Sequence, residues 1–257
     1  MARAARAGAP PRIHVGDPLR RVDALRLPVE ASRHLQVLRV QPGDALTLFD
    51  GRGGEWSARV VAMGRDVATV AVDAHRAIER ELLVHVVLAV GMPANDRMDA
   101  LVEKAAELGV GAVQPLVCTR SVLRLEGERG HRRIAHWQAI AVAACEQCGR
   151  NRVPEIRAVR SIDAWLAELA PDARSVRWLL SPSASGPASL AVAAQAAELT
   201  VMSGPEGGFT TEEESAARAA GFEPVSLGPR VLRADTAPLV VLAACAVLGT
   251  PPGADQA

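Results

Sequence analysis

The sequence predicts an α/β chain in which a small β-barrel precedes a parallel sheet with helices on both faces. Three observations carry this prediction. From residue 82 onward, apolar runs of strand length alternate with helical patterns, as strand–helix–strand units of a parallel sheet do. Before residue 75, short runs of alternating polarity are separated by glycine turns, which suits a small closed barrel. Near the C-terminus, two glycine-bearing loops each join an apolar run to a helix-like run, and sheets of this class bind ligands at such strand ends.

The elements follow in order. Residues 1–10 are rich in Ala and Arg without an apolar core, so they read as a mobile tail rather than a secretion signal. The barrel is assigned to 11–75: a strand at 45–49, the turn Asp50-Gly51-Arg52-Gly53-Gly54, and the alternating Trp56, Ala58, Val60 and Ala62 make a hairpin. Another strand covers 67–72, and 76–81 is a linker. The second domain, 82–250, opens with an apolar strand at 82–90. A helix at 96–108 follows, with Met98, Leu101, Val102 and Ala105 on one face. Strands are expected at 111–117, 176–180, 199–203 and 222–227, and helices at 131–148 and 162–169. The apolar run 238–249 is shorter than the ~20 residues needed to cross a bilayer and reads as a core helix. With a second tail at 251–257, the chain is expected to be a soluble, cytoplasmic protein with no membrane association.

The loops are Gly204-Pro205-Glu206-Gly207-Gly208-Phe209-Thr210 and Leu227-Gly228-Pro229-Arg230-Val231-Leu232-Arg233-Ala234-Asp235-Thr236-Ala237-Pro238. Glycines before a helix usually cradle phosphate, because they admit close backbone approach and the helix N-terminus attracts anions. Charge argues against that here. Glu206 lies within the loop, Glu212, Glu213 and Glu214 fill the first helical turn, and no Lys follows the glycines. The expected ligand is neutral or cationic and held by backbone groups; S-adenosylmethionine, with its sulfonium and no phosphate, fits. Leu180, Ser203 and Leu227 stand at three strand ends. With Gly204, Pro205, Glu206, Gly207, Gly208, Gly228 and Leu232 they form the expected cofactor site.

These loops, together with Met98-Asp99-Ala100-Leu101-Val102-Glu103-Lys104-Ala105-Ala106-Glu107-Leu108-Gly109-Val110 and Glu146-Gln147-Cys148-Gly149-Arg150, resemble the ribosomal RNA small subunit methyltransferase E family. That family is a branch of the SPOUT methyltransferases. The resemblance runs from Pro11-Arg12-Ile13 to Ala246 and spans four motifs in the family's order. It implies a PUA-like RNA-binding barrel, a C-terminal trefoil-knotted sheet, a homodimer and S-adenosylmethionine as cofactor. It also implies methylation of a uridine at N3 in 16S rRNA, within an assembled small ribosomal subunit. Arg12 and Arg39 match the family's basic positions on the barrel, and Arg97, Gln147 and Arg150 join them as expected RNA contacts. The chain departs from the family at Ala94-Asn95, where Lys-Gly is usual.

Net charge is zero, yet the first forty residues hold eight arginines against three acids, and 118–160 nine against four. Two basic regions are thus available to a phosphate backbone, although an Arg-rich composition with Lys104 as the sole lysine also accounts for them. No metal is expected. The pair Cys145 and Cys148 lacks a second ligand pair, and the six histidines show no ligand spacing.

Methyl transfer to N3 requires that its proton leave and that the uracil anion be stabilised. Arg233, Arg230 and Glu146 are the expected catalytic residues. The arginines could instead pair with Asp235 or Glu206 to hold the loop shut, and Glu146 to Arg150 could simply end a helix. A ribose 2′-O methyltransferase of the same fold and a non-catalytic RNA-binding protein are the alternatives.

Overall fold

The structure, a computed structural model, describes residues 9–125, 127–172, 174–184, 186, 188, 189, 193 and 196–248. Of the expected tails, 1–8 and 251–257 lie outside the described residues. The chain forms two compact units. Among the described residues, the first comprises 9–80 with 145–153, and the second 81–144 with 154–248.

The first unit contains β1 (Arg12–His14), β2 (Val22–Arg26), α1 (Val29–Val37), β3 (Ala45–Phe49), β4 (Glu55–Met63) and β5 (Ala68–Arg76). The strands lie in the order β1-β3-β4-β5-β2. Only β1 and β3 run parallel; the other neighbours are antiparallel, and β4 and β5 carry two register shifts that bend their ribbon. One core fills the curl: Ile13, Leu46, Leu48, Val60, Val70 and Val72 come from strands, and Ala31 and Leu35 from α1. Ser32 ties the helix down, its hydroxyl donating to the Leu27 carbonyl and accepting from the Ala68 amide at 2.9 Å. The sequence pattern did not disclose β1, β2 or α1. The two strands are three and five residues long. The helix follows Pro28 without a side-chain cap.

The second unit contains β6 (His85–Gly91), α2 (Asn95–Glu107), β7 (Ala112–Val117) and most of α3 (Gly127–Cys148), whose residues from Cys145 belong to the first unit. Then come β8 (Glu155–Ile156), β9 (Arg160–Ser161), α4 (Ile162–Ala167), β10 (Ser175–Leu180), β11 (Glu198–Ser203), α5 (Thr211–Ala219), β12 (Glu223–Val225) and α6 (Thr236–Leu248). All strand pairs are parallel, in the order β12-β10-β11-β6-β7-β8, with β9 also on β7. Their near-continuous apolar runs are what a sheet covered on both faces requires. Ile162, Trp165 and Leu166 of α4 and Ala217 of α5 pack on Ala89, Leu116, Leu179 and Met202 from one face of the sheet. On the other side α6 packs against β11 and α2. α3 begins four residues before the expected start, because Gly127 and Gly130 conceal its first turn in the sequence.

The start of α5 bears on the site. Thr210 caps it in a capping box: its hydroxyl accepts the Glu213 amide at 3.2 Å, and the Glu213 carboxylate accepts the Thr210 amide at 2.8 Å. Thr210→Ala is expected to cost about 1 kcal/mol. Urea unfolding with a lower midpoint and an unchanged slope checks it.

Candidate active site

Three neighbouring strands, β10, β11 and β12, end at Leu180, Ser203 and Val225 beside a cavity of about 530 Å³. Every expected cofactor residue lines it: Leu180, Ser203, the loop Gly204 to Gly208, Leu227, Gly228 and Leu232. Arg97, Arg230 and Arg233 line it too.

The first loop is built by a turn in which the Gly208 amide donates to the Pro205 carbonyl at 2.8 Å, with Gly208 at φ +70°. It presses on the end of β6. A Cβ on Gly91 would stand 2.5 Å from Pro205 Cδ and 2.7 Å from Pro205 N. Backbone cannot yield as a flexible side-chain end does. Gly91→Ala is therefore expected to cost about 2 kcal/mol through overpacking. An unchanged urea midpoint would show that the loop gives way freely.

The second loop holds Gly228 at φ +105°, its amide donating to the Ser226 hydroxyl at 3.3 Å. Ser203, buried at the end of β11, donates its hydroxyl to the Ala234 carbonyl at 3.5 Å and so links the two loops. The Arg233 carbonyl accepts the Thr236 and Ala237 amides, starting α6 immediately after the loop.

The charges sort themselves in a way the sequence left open. Glu206 is held by the Ala94 amide at 3.1 Å and by Arg97 at 3.4 Å. Ala94 precedes α2 and supplies no side-chain cap, so the Glu206 carboxylate serves that helix N-terminus. Arg230 and Arg233 are exposed, and among the described residues their side chains have no ion pair or hydrogen bond. The alternative pairing with Glu206 or Asp235 is thus not present. Asp235 Oδ1 is buried without a hydrogen-bond partner among the described residues.

The remaining expected residues belong to the first unit. Glu146 accepts the His14 amide at 2.9 Å and lies 3.3 Å from His34 Nδ1. Arg12 donates to Glu55 at 2.7 Å, to Asn151 Oδ1 at 2.6 Å and to the Arg150 carbonyl at 3.1 Å, and covers the Phe49 ring at 5.0 Å. Arg150 is buried, while Gln147 and Arg39 are exposed. Arg39 sits at φ +55°, the left-handed conformation that ends α1.

Two supports of the first glycine loop escaped sequence reasoning, Gly91 and the turn 118–121. The second follows β7, so the rule that ligands gather at strand ends was the signal available. Its Cys118 is inert: burial, and after it the Glu213 carboxylate, push the thiol up to about 12.

Comparison with known proteins places this geometry. A family model described as an RNA methyltransferase domain matches residues 80–246, and one described as an RNA methyltransferase PUA domain matches 27–73. Ribosomal RNA small subunit methyltransferase E of a Synechocystis strain is 34% identical over 212 residues, covering 81% of this chain and 67% of that protein. The chain belongs to the ribosomal RNA small subunit methyltransferase E family. The Bacillus subtilis member is 30% identical, covering 84% of this chain and 86% of its own length. In structure, the family's Neisseria gonorrhoeae enzyme, crystallised with S-adenosyl methionine, superposes with a TM-score of 0.86 at 33% identity. That match covers 93% of this chain and 98% of the enzyme. A Legionella pneumophila protein solved with the same cofactor gives 0.87 at 31% identity, covering 94% and 99%. The α/β fold with an N-terminal PUA domain is therefore that of the family. Among the described residues, no helix is long and apolar enough to cross a membrane.

Proposed function

We propose that this chain transfers a methyl group from S-adenosylmethionine to N3 of a uridine in 16S rRNA, presented by an assembled small ribosomal subunit in the cytoplasm. The observation that carries the reading is the cavity at three parallel strand ends, framed by the two glycine loops. Its lining fits the cofactor. Leu180, Val225 and Leu232 offer apolar walls, and the loops offer backbone groups. Bound there, S-adenosylmethionine supplies an electrophilic methyl carbon.

The residues supply the rest. Leu180, Ser203, Gly204 to Gly208, Leu227, Gly228 and Leu232 hold the cofactor. Arg233, with Arg230, stabilises the anion that uracil becomes when N3 gives its proton to water; a guanidinium aimed at developing charge lowers the barrier without reorganising. Glu146 is tied to the His14 amide, which suits positioning more than proton transfer. Arg39 and Gln147 are exposed and contact RNA, with Arg97 at the cavity; Arg12 and Arg150 serve the unit internally.

The domains we assign are 11–75 and 82–250, joined by 76–81, with the trefoil knot formed by the loops of the second. A homodimer accords with the uncharged α6, which leaves Val240, Val247 and Leu248 exposed.

Titration calorimetry with S-adenosylmethionine tests the first step; no heat would end the enzymatic reading. Labelled methyl transfer to small subunits and to free rRNA, followed by nuclease digestion and mass spectrometry, tests the second. Label on ribose would replace N3 methylation by 2′-O methylation.

A further inference from the structure

The turn Cys118 to Ser121 faces the first glycine loop and holds it at two points. Ser121 stabilises the turn itself: its amide donates to the Cys118 carbonyl at 3.0 Å, and its hydroxyl accepts the Cys118 amide at 2.9 Å. Within the turn, Thr119 donates its amide to Glu213 Oε1 at 2.7 Å. The other oxygen of that buried carboxylate takes the Thr210 amide, so one side chain joins the turn to the far end of the loop. Arg120 then reaches across, its Nη1 donating to the carbonyls of Gly207 and Phe209 at 3.0 Å each.

The stem of Arg120 fills the space that a side chain at 207 would need. A Cβ on Gly207 would lie 2.9 Å from Arg120 Cβ. Four peptide groups between 207 and 210 thus have assigned partners: two carbonyls on Arg120, the Gly208 amide on Pro205, and the Thr210 amide on Glu213. Peptide units with fixed partners keep fixed orientations, and a site recognised through backbone groups depends on those orientations.

We propose that the 118–121 turn is a clamp that sets the shape of the cofactor loop, with Arg120 as its positioning residue. The inference rests on the S-adenosylmethionine reading for its functional half, and on the loop geometry alone for its structural half. Arg120 touches no reacting atom. It acts by pre-organising the loop, so its loss shows as weaker cofactor binding.

Two measurements separate the clamp from the cofactor reading. Amide hydrogen exchange on the full-length protein reports the loop directly. In Arg120→Ala, the hydrogen-bonded amides of Gly208 and Thr210 are expected to exchange about tenfold faster, while those of β6 and β11 keep their rates. Calorimetry with S-adenosylmethionine is expected to show Kd raised about tenfold, with Arg120→Lys recovering part of the loss because an ammonium can serve one carbonyl but not both well. Unchanged loop exchange overturns the clamp. Faster exchange with an unchanged Kd overturns its role in cofactor binding. If the natural protein gives no heat while Arg120→Ala accelerates exchange, the cofactor reading falls and the clamp on the loop stands.

Discussion

Replacing Arg233 by Ala is expected to lower turnover by about 10²- to 10³-fold, the range seen when one preorganised donor to developing negative charge is removed. Cofactor affinity should stay within about twofold. The asymmetry follows from where the side chain stands. Arg233 lines the cavity, is exposed, and has no ion pair or hydrogen bond among the described residues. A guanidinium that merely held the loop would be engaged with a carboxylate, and the carboxylate of the first loop, Glu206, is instead taken by Arg97 and the Ala94 amide. An unengaged cation beside a cofactor cavity is available to a substrate whose reacting form is an anion. Arg233→Lys keeps the charge but loses the planar fork, and should recover only part of the rate. Single-turnover rates on small ribosomal subunits, read beside calorimetric cofactor affinity, decide the matter. Unchanged turnover removes Arg233 from catalysis, and a matched loss of affinity makes it a loop residue.

How far the site could be read in the sequence depended on whether its parts were local. The cofactor loops are contiguous, and a strand, a glycine turn and a helix start leave a local pattern, so the ten residues expected there surround one cavity. The clamp is not local: Thr119 and Arg120 meet residues about ninety positions away, and only the folded sheet brings β7 beside the first loop. Gly91 likewise looks like the plain end of an apolar strand until Pro205 is placed against it.

The sheet's order was equally out of reach. Alternating strands and helices announce a parallel sheet, but β12 beside β10 rather than β11 is a choice of topology that periodicity does not encode. Short elements failed for a different reason. β1 spans three residues and β8 and β9 two each, too few for a period to register. Residue type was also incomplete at Arg12. An arginine in a basic segment suggests RNA, and nothing local reveals that a buried glutamate awaits it.

That arginine carries the largest stability effect. Glu55 is 4% exposed, and its carboxylate meets Arg12 at 2.7 Å, Arg80 at 3.4 Å and Arg76 at 3.5 Å. Burial alone raises a carboxylate's pKa; here the hydrogen bond and charge of Arg12, then Arg80, outweigh it and bring Glu55 below its usual value. Arg12→Ala leaves that buried charge with only its two longer contacts and strips a donor from Asn151 Oδ1 and the Arg150 carbonyl. The expected cost is about 3 kcal/mol, the low end for breaking a buried pair, because Arg76 and Arg80 remain. The pH dependence has a definite sign. A group whose folded pKa lies below its unfolded value stabilises the fold above the ordinary carboxylate value of 4.5, and that contribution is lost as pH falls through the folded pKa. The natural protein should therefore lose stability in acid below about pH 4.5, and Arg12→Ala should lose less there, having less to lose. Urea unfolding at pH 7 and pH 4 measures both, and a double-mutant cycle with Glu55→Ala isolates the pair. If Arg12 served RNA instead, its removal would leave the urea midpoint in place and raise only the KM for the ribosomal substrate.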